Sequence, residues 1–235
     1  MPARGVELAV GGLVPLSAGD LPGRLSAVVF LQGCPWDCGY CHNPHLRPAG
    51  GGEPGGWERL LDFLRRRRGL LDAVVFSGGE PTLQDALPDA LDAVRALGFA
   101  TGLHTGGAYP ERLRAVLPRL DWVGLDVKAP FDDYARACGV PGAGAKARES
   151  ARLLAAGGVE HEFRTTLHPN LHSADSLLRL AADLKGLGAR RWVLQEFRAL
   201  GCAREDYAGA RPWLPDPALR ERLAAAVGSF AIRRA

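Results

Sequence analysis

Short apolar runs alternate with amphipathic stretches along most of this chain. Residues 25–31 are apolar, include β-branched side chains and show the pattern of a buried strand. The same pattern recurs in five further segments: 73–77, 99–104, 122–127, 160–167 and 192–197. Apolar positions at helical spacing occur at 57–68, 84–97, 110–118, 147–156, 174–187 and 216–227, and more weakly at 131–138. Strands that alternate with helices predict βαβ units and a parallel sheet.

The length of the chain limits how far this alternation can extend. Six units fit into 235 residues and eight do not, so we predict an α/β fold with a partial (β/α)6, TIM-like barrel. Residues 1–24 precede the first unit and predict a short strand-and-turn extension around Gly11 and Gly12. We therefore expect one domain over residues 25–235 with an N-terminal β extension over residues 1–24.

Composition and charge exclude several classes of protein. Hydrophobic residues make up 47% of the chain and charged residues 23%, which is typical of a globular protein. The sequence has no run of about 18 apolar residues and no signal-peptide pattern, so it predicts neither a membrane helix nor secretion. A net charge of +3, evenly spread, does not indicate nucleic-acid binding. We expect a cytoplasmic protein without membrane or nucleic-acid partners.

The five cysteines are unevenly distributed. Cys34, Cys38 and Cys41 lie within eight residues and have the spacing Cys-x3-Cys-x2-Cys. An odd number of cysteines without a signal peptide argues against a disulfide framework. Pro35 and Gly39 keep the segment out of a regular helix, so that it can wrap around a ligand. Thiolates are the usual ligands of iron–sulfur clusters, and three of them leave one iron of a four-iron cluster open.

Zinc held by the three cysteines and either His42 or His45 is the alternative for this segment. Zinc ribbons usually combine two Cys-x2-Cys halves, and this sequence has one such half. Cys138 and Cys202 are isolated in the sequence, and we expect them to be structural because isolated cysteines usually behave as small hydrophobic residues.

Polar residues follow the predicted strands, at the end where parallel α/β folds carry their chemistry. Gly78, Gly79 and Glu80 follow the second strand. Adjacent glycines allow close approach of a ligand to the backbone, and a carboxylate accepts hydrogen bonds from an ammonium group. The alternative is a plain turn with Glu80 at a helix N-terminus. His104 and Thr105 end the third strand, where the alternative for Thr105 is a helix cap.

The fourth and fifth strands carry charged residues. Asp126 and Lys128 lie two residues apart and therefore project to one side of their strand. The alternative for this pair is a structural ion pair. Arg164, on the fifth strand, is a permanent cation suited to a carboxylate or a ribose.

The segment 32–43, with the sequence QGCPWDCGYCHN, resembles the cluster loop of radical S-adenosylmethionine (SAM) enzymes. The closer similarity is to enzymes that activate glycyl-radical proteins, and within them to the branch that activates anaerobic ribonucleoside-triphosphate reductase. Members of that branch begin with a sequence similar to VPLSAGDLPG at residues 14–23. The resemblance covers essentially the whole chain. It implies a barrel of the radical SAM type, a [4Fe–4S] cluster ligated by Cys34, Cys38 and Cys41, and bound SAM.

The resemblance also implies roles for the residues at the strand ends. Gly78, Gly79 and Glu80 are expected to hold the SAM amino group, and Lys128, counted with the three cysteines as catalytic, is expected near the SAM carboxylate. Related activators often carry an acidic residue at the position of His104, so a cation site is not implied there. The other expected cofactor-binding residues are Tyr40 beside the adenine, His42, Asn43, Thr105, Asp126 and Arg164.

The implied function is reductive cleavage of SAM to a 5′-deoxyadenosyl radical, which would generate a glycyl radical on anaerobic ribonucleoside-triphosphate reductase. An external electron donor such as a flavodoxin or ferredoxin is implied, because the sequence has no flavin or nicotinamide motif. Three alternatives stay open. They are a radical SAM enzyme acting on a small molecule, such as a deazapurine-type synthase, an activase of another glycyl-radical enzyme, and a zinc or iron–sulfur binding module.

Overall fold

The computed structural model describes residues 7–211 and 213–234. Its strands are β1 Val10–Ser17, β2 Ser26–Leu31, β3 Ala73–Gly78, β4 Ala100–Thr105, β5 Trp122–Asp126, β6 Glu160–Leu167, β7 Arg191–Glu196 and β8 Ser229–Arg233. They form an eight-stranded sheet in which the order of the strands follows the chain. Within the described residues β1 and β8 are the two ends of this order, so the sheet is open.

Helices alternate with most of these strands. Within the described residues they are α1 Gly56–Arg66, α2 Leu87–Ala96, α3 Pro110–Val116, α4 Tyr134–Cys138, α5 Ala143–Ala156, α6 Ala174–Gly186, α7 Glu205–Ala208 and α8 Pro217–Ala224. Short 3-10 turns occupy Pro44–Leu46, Pro81–Leu83 and Leu117–Arg119. None of the helices in the described residues has the length and apolar character needed to cross a membrane.

The first of two compact units contains Met1–Pro35, His45–Thr105 and Glu111–Val123. β1 is antiparallel to β2, whereas β2, β3 and β4 run parallel to one another. Its buried apolar cluster is formed by Leu21, Val28, Ala73, Val75 and Trp122. Because Leu21 lies in the turn between β1 and β2, the N-terminal segment contributes to the core of this unit.

The second compact unit contains Trp36–Pro44, Gly106–Pro110 and Gly124–Ala235. β6, β7 and β8 run parallel in it. Glu162, fully buried on β6, accepts hydrogen bonds of 2.7 and 2.9 Å from Arg233 and forms an ion pair of 3.2 Å with Arg191. A buried carboxylate needs such partners, and these two arginines fix β8 beside β7.

The α/β class and the six predicted strands are confirmed, but β8 was not predicted. The largest differences between the predicted and the observed elements are at the starts of helices. The helix expected from residue 84 begins at Leu87, because the Glu80 side chain accepts a hydrogen bond from the Thr82 amide and forms a separate 3-10 turn. The helix expected from residue 147 already begins at Ala143. The predicted domain boundary after residue 24 stays a prediction.

Candidate active site

The cysteine loop, residues 33–43, follows β2 and has no regular secondary structure. Its three thiols are partly exposed, and none forms a disulfide. The Cys34 amide donates to the Arg47 carbonyl (2.9 Å), and the Cys41 amide donates to the Cys38 carbonyl (3.2 Å). The Asp37 amide donates to the carbonyl of Cys138 (2.8 Å). The backbone of the loop is therefore held in place by hydrogen bonds, while its thiols remain partly exposed.

The end of β3 packs directly against the start of the cysteine loop. Gly78 has a φ of 114°, and a Cβ there would collide with the backbone of Leu31. A Cβ at Gly79 would collide with the carbonyl of Gly33, which accepts a 2.8 Å hydrogen bond from the Glu80 amide. Both glycines are thus needed for close approach to the protein's own backbone, and their expected contact with SAM stays a prediction.

Glu80, Thr82 and Thr105 form a carboxylate pocket at the ends of β3 and β4. Glu80 is 2% exposed, and its Oε1 accepts from the Thr82 hydroxyl (2.6 Å), the Thr105 hydroxyl (2.7 Å) and the Thr82 amide (3.2 Å). The structure thus joins two residues predicted at different strand ends. The alternative for Glu80 was a position at a helix N-terminus. Glu80 does cap a short helical element, the 3-10 turn Pro81–Leu83. The alternative for Thr105 was a helix cap. Its hydroxyl instead donates to Glu80, and the next helix, α3, begins five residues later.

His104 precedes Thr105 but contacts a different part of the first unit. Its Nε2 lies 2.9 Å from the carbonyl oxygen of Asp20, and its Nδ1 lies 3.9 Å from the Asp20 carboxylate. Its ring meets that of Trp122 edge to face, with 5.6 Å between the ring centroids. Successive side chains on a strand point to opposite faces, which explains why His104 does not join the carboxylate pocket.

Asp126, Lys128 and Arg164 form a charged triad in the second unit. Arg164, 6% exposed, donates through Nε to Asp126 Oδ1 at 2.9 Å, and its Nη2 lies 2.9 Å from the same oxygen. The Nζ of Lys128 lies 3.7 Å from Asp126 Oδ2. Two cations therefore share one carboxylate, and the triad has an excess of positive charge. The ion pair of Asp126 and Lys128, which was the alternative to a role in binding, is present together with a third member, Arg164.

Buried side chains hold the backbone around Lys128. The hydroxyl of Tyr134 donates to the Asp126 carbonyl and accepts from the Lys128 amide, both at 3.1 Å. The Nε2 of His172 lies 3.0 Å from the Lys128 carbonyl, and its Nδ1 accepts from the amide of His168. Burial lowers the pKa of His172 to about 4, so its ring is neutral at pH 7. Sequence reasoning missed Tyr134 and His172, because the sequence around neither residue indicates a site.

The Lys128 ammonium keeps its charge in these surroundings. Burial alone lowers the pKa of Lys128, but its attraction to the groups around it outweighs burial, and the pKa lies well above its ordinary value. Tyr40 is 6% exposed, and burial raises its pKa. The end of β5 therefore carries a lysine that is charged at neutral pH.

The last residues of the cysteine loop lie against aromatic rings. The rings of Tyr40 and His168 are stacked 6.3 Å apart, and those of His42 and Phe197 are stacked 5.3 Å apart. Burial lowers the pKa of His42, and its Nε2 is buried without a hydrogen-bond partner among the described residues. Asn43 is half-buried at the end of the loop.

A C-terminal segment, which we call the strap (Gly201–Tyr207), covers the middle of the cysteine loop. The ring of Tyr207 lies so close to Gly39 that a Cβ there would collide with it. The Cys202 thiol donates to the Gly39 carbonyl at 3.5 Å. The Nε2 of His168, in the segment after β6, lies 3.0 Å from the Tyr207 carbonyl and fixes the end of the strap. The isolated Cys202 thus supports the loop.

Comparison with known proteins decides the family. The family model of the radical SAM superfamily matches residues 28–181. The chain belongs to the radical SAM superfamily. This confirms the resemblance drawn from the cysteine spacing and the predicted fold of the radical SAM type.

Two of the curated relatives are named as activating enzymes. The chain is 32% identical over 207 residues to a protein of Methanocaldococcus jannaschii named "Putative glycyl-radical enzyme activating enzyme MJ1227", which covers 84% of this chain and 83% of that protein. It is 39% identical over 119 residues to the pyruvate formate-lyase-activating enzyme of Clostridium pasteurianum, which covers 48% of this chain and 50% of that protein.

A solved structure supports the fold alone. TYW1 with a bound lysine–pyruvate adduct superposes with a TM-score of 0.64, covers 86% of this chain and 74% of its own, and is 16% identical. Identity this low carries no statement about activity.

Membership in the radical SAM superfamily implies a [4Fe–4S] cluster and SAM as cofactors, and the cysteine loop fits them. It offers three thiols free of disulfides, in the spacing Cys-x3-Cys-x2-Cys, and the unpartnered Nε2 of His42 beside them. Among the described residues no three His, Cys, Asp or Glu side chains are grouped around a position for a single metal ion. A cubane binds each thiolate to a different iron and so spreads them more widely, and ligation by all three cysteines stays a prediction.

Proposed function

We propose that this radical SAM enzyme generates a glycyl radical on a partner protein, and that the partner is anaerobic ribonucleoside-triphosphate reductase. The observation that carries the first half is the 32% identity to the Methanocaldococcus jannaschii protein over 84% of this chain. The choice of the reductase as the partner rests on the sequence of residues 14–23, which is similar to the N-terminal sequence of the reductase-activating branch.

The cysteine loop is proposed to hold the cluster through Cys34, Cys38 and Cys41. When bound, the cluster supplies the electron that cleaves SAM into methionine and a 5′-deoxyadenosyl radical. Such a radical abstracts a hydrogen atom from almost any nearby group, so the residues around it must exclude water and loose side chains. Tyr40, which is buried, is proposed to lie beside the adenine and contribute to that exclusion.

The carboxylate pocket and the charged triad are proposed to bind the two charged groups of SAM. The Glu80 carboxylate lies beside the hydroxyls of Thr82 and Thr105, and a carboxylate can accept charge-assisted hydrogen bonds from the SAM ammonium group. Lys128 is proposed to pair with the SAM carboxylate, since its ammonium remains charged and lies at the end of β5. The remaining proposed cofactor-binding residues are Gly78, Gly79, His42, Asn43, Thr105, Asp126 and Arg164.

The proposed protein partners are the glycyl-radical enzyme and an external one-electron donor, such as a flavodoxin or ferredoxin. We also propose a cytoplasmic location, because reduced thiols persist there and none of the five cysteines forms a disulfide. The 39% identity to the Clostridium pasteurianum enzyme favours a second candidate, in which the partner is another glycyl-radical enzyme.

The first experiment tests the radical SAM chemistry. The protein is reconstituted anaerobically with iron and sulfide, reduced with dithionite and mixed with SAM, and 5′-deoxyadenosine is measured. We expect product from the wild type, none from Cys38→Ala, and wild-type amounts from the matched control Cys138→Ala. A protein that binds zinc stoichiometrically and leaves SAM intact would contradict the proposal.

The second experiment identifies the partner. The loaded enzyme is mixed with either anaerobic ribonucleoside-triphosphate reductase or pyruvate formate-lyase, and the glycyl radical is recorded by electron paramagnetic resonance. A signal on the reductase alone supports the first candidate, and a signal on the lyase alone supports the second. Formation of 5′-deoxyadenosine without a radical on either protein would contradict both candidate partners.

A further inference from the structure

Trp36 lies between Cys34 and Cys38 in the cysteine loop, and the proposed function gives it no role. Its side chain is 4% exposed. The ring lies so close to Gly106 that a Cβ at that position would collide with it. The ring of Tyr134 meets it edge to face, with centroids 5.7 Å apart. The position of the Trp36 ring is therefore fixed from two directions.

The fixed ring faces a charged group. The Nζ of Lys128 lies 5.7 Å from the centroid of the Trp36 ring and 5.8 Å from that of Tyr40. Both distances are within the range of about 6 Å for cation–π attraction, which strengthens when the cation is shielded from water. The Lys128 side chain is only 14% exposed. One ammonium group thus contacts aromatic residues on both sides of Cys38.

We propose that Trp36 is a positioning residue that holds the Lys128 ammonium where it binds the SAM carboxylate. This inference rests on the proposed role of Lys128. Under this inference Trp36 both packs within the cysteine loop and contributes to the binding of SAM. Tyr134 fixes the backbone of Lys128, whereas Trp36 fixes the far end of its side chain, so the two supports act on different atoms.

The main test is the dissociation constant for SAM, measured by equilibrium dialysis on the reconstituted protein. Trp36→Leu removes the aromatic face, and we expect it to weaken SAM binding by about tenfold. Trp36→Phe keeps an aromatic face, so its loss should be less than about threefold. Tyr109→Leu is the matched control, because Tyr109 makes a similar contact of 5.8 Å with Lys146. It should bind SAM like the wild type.

Decarboxylated SAM shows whether Trp36 acts through the carboxylate. This probe keeps the amino group and the adenosine but lacks the group that Lys128 is proposed to bind. We expect Trp36→Leu and the wild type to bind it equally. An equal loss of affinity for SAM and for decarboxylated SAM, or no loss for either, would overturn the inference.

A second readout uses the iron-free protein and therefore does not depend on the proposed function. The thermal midpoints of Trp36→Leu, Lys128→Met and the double variant are compared with that of the wild type. Coupled residues give a double variant whose loss is smaller than the sum of the single losses. Additive losses would contradict a Trp36–Lys128 contact. If the variants show this coupling but the reconstituted wild type does not bind SAM, the proposed function is overturned and the Trp36–Lys128 contact is not.

Discussion

The carboxylate pocket and the charged triad each stabilise a carboxylate, but with different kinds of donor. Glu80 receives three hydrogen bonds on one oxygen, from two hydroxyls and one amide, all of which are neutral. Asp126 instead pairs with two cations, Lys128 and Arg164. The donors described for Glu80 carry no charge, whereas those described for Asp126 are both cations. This difference in donors is the basis for proposing that the pocket binds the ammonium group of SAM and that the triad binds its carboxylate.

Removal of Lys128 should have the largest effect on this comparison. Lys128→Met abolishes the excess positive charge of the triad, and we expect SAM binding to weaken on the order of 100-fold, the scale of losing a desolvated charge pair. Equilibrium dialysis on the reconstituted protein measures it. Lys185→Met, on the exposed surface of α6, is the matched control. If both variants bind SAM equally well, the triad does not bind the carboxylate.

Acid should weaken the triad through its buried support His172. Its pKa is about 4 in the folded protein because of burial, and the ordinary value is 6.5. Between these values the unfolded chain binds a proton that the folded protein does not, so stability is lost as the pH falls. The difference corresponds to about 3 kcal/mol.

Urea unfolding of the iron-free protein at several pH values measures this loss. His172→Gln cannot take up the proton, yet its side-chain amide can still donate to the Lys128 carbonyl. We expect the wild type to lose stability relative to this variant between pH 6.5 and 4. A stability difference that stays constant over this range would show that His172 does not titrate in this way.

Neutralising the carboxylate pocket should have a smaller effect. Glu80→Gln removes the charge but keeps a side-chain oxygen for Thr82 and Thr105, so the fold should persist. Loss of a charged hydrogen bond predicts SAM binding that is weaker by roughly tenfold. Glu160→Gln, at an exposed position of β6, should leave the affinity unchanged. Unchanged binding in Glu80→Gln as well would assign the ammonium group of SAM to other residues.

The smallest expected effect comes from the donors of the pocket. Thr105→Val removes one of the three hydrogen bonds to Glu80 and should reduce the free energy of unfolding by about 1 kcal/mol. Thr105→Ser keeps the hydroxyl and should stay closer to the wild type. Thermal or urea unfolding distinguishes the two variants, and an equal loss in both would mean that the methyl group of Thr105 matters more than its hydroxyl.

Local sequence patterns predicted the parts of the fold that depend on nearby residues. The apolar runs of β2 and β3 were evident, because these strands are almost fully buried. β8 was missed because its residues are half-buried or exposed and because its anchor, the contact of Arg233 with Glu162, joins positions 71 residues apart. Tertiary contacts of this kind leave no periodic pattern in the sequence.

The same limit applies to the candidate site. The rule that chemistry follows strand ends identified Glu80, Thr105, Asp126 and Lys128, and the structure places the first two and the last two in contact. It did not identify His172, which reaches Lys128 from 44 residues away. The support of a site is set by packing between distant elements, whereas its charged groups are visible locally.

The cysteine loop is synthesised early and covered late. Its cover, the strap, includes Cys202, which contacts Gly39 across 163 residues of sequence. During translation the three cysteines therefore emerge from the ribosome long before Cys202 and Tyr207 exist. Throughout that time the loop lacks the contacts that the strap makes with Gly39, so its final shape is reached only when the second unit is nearly complete.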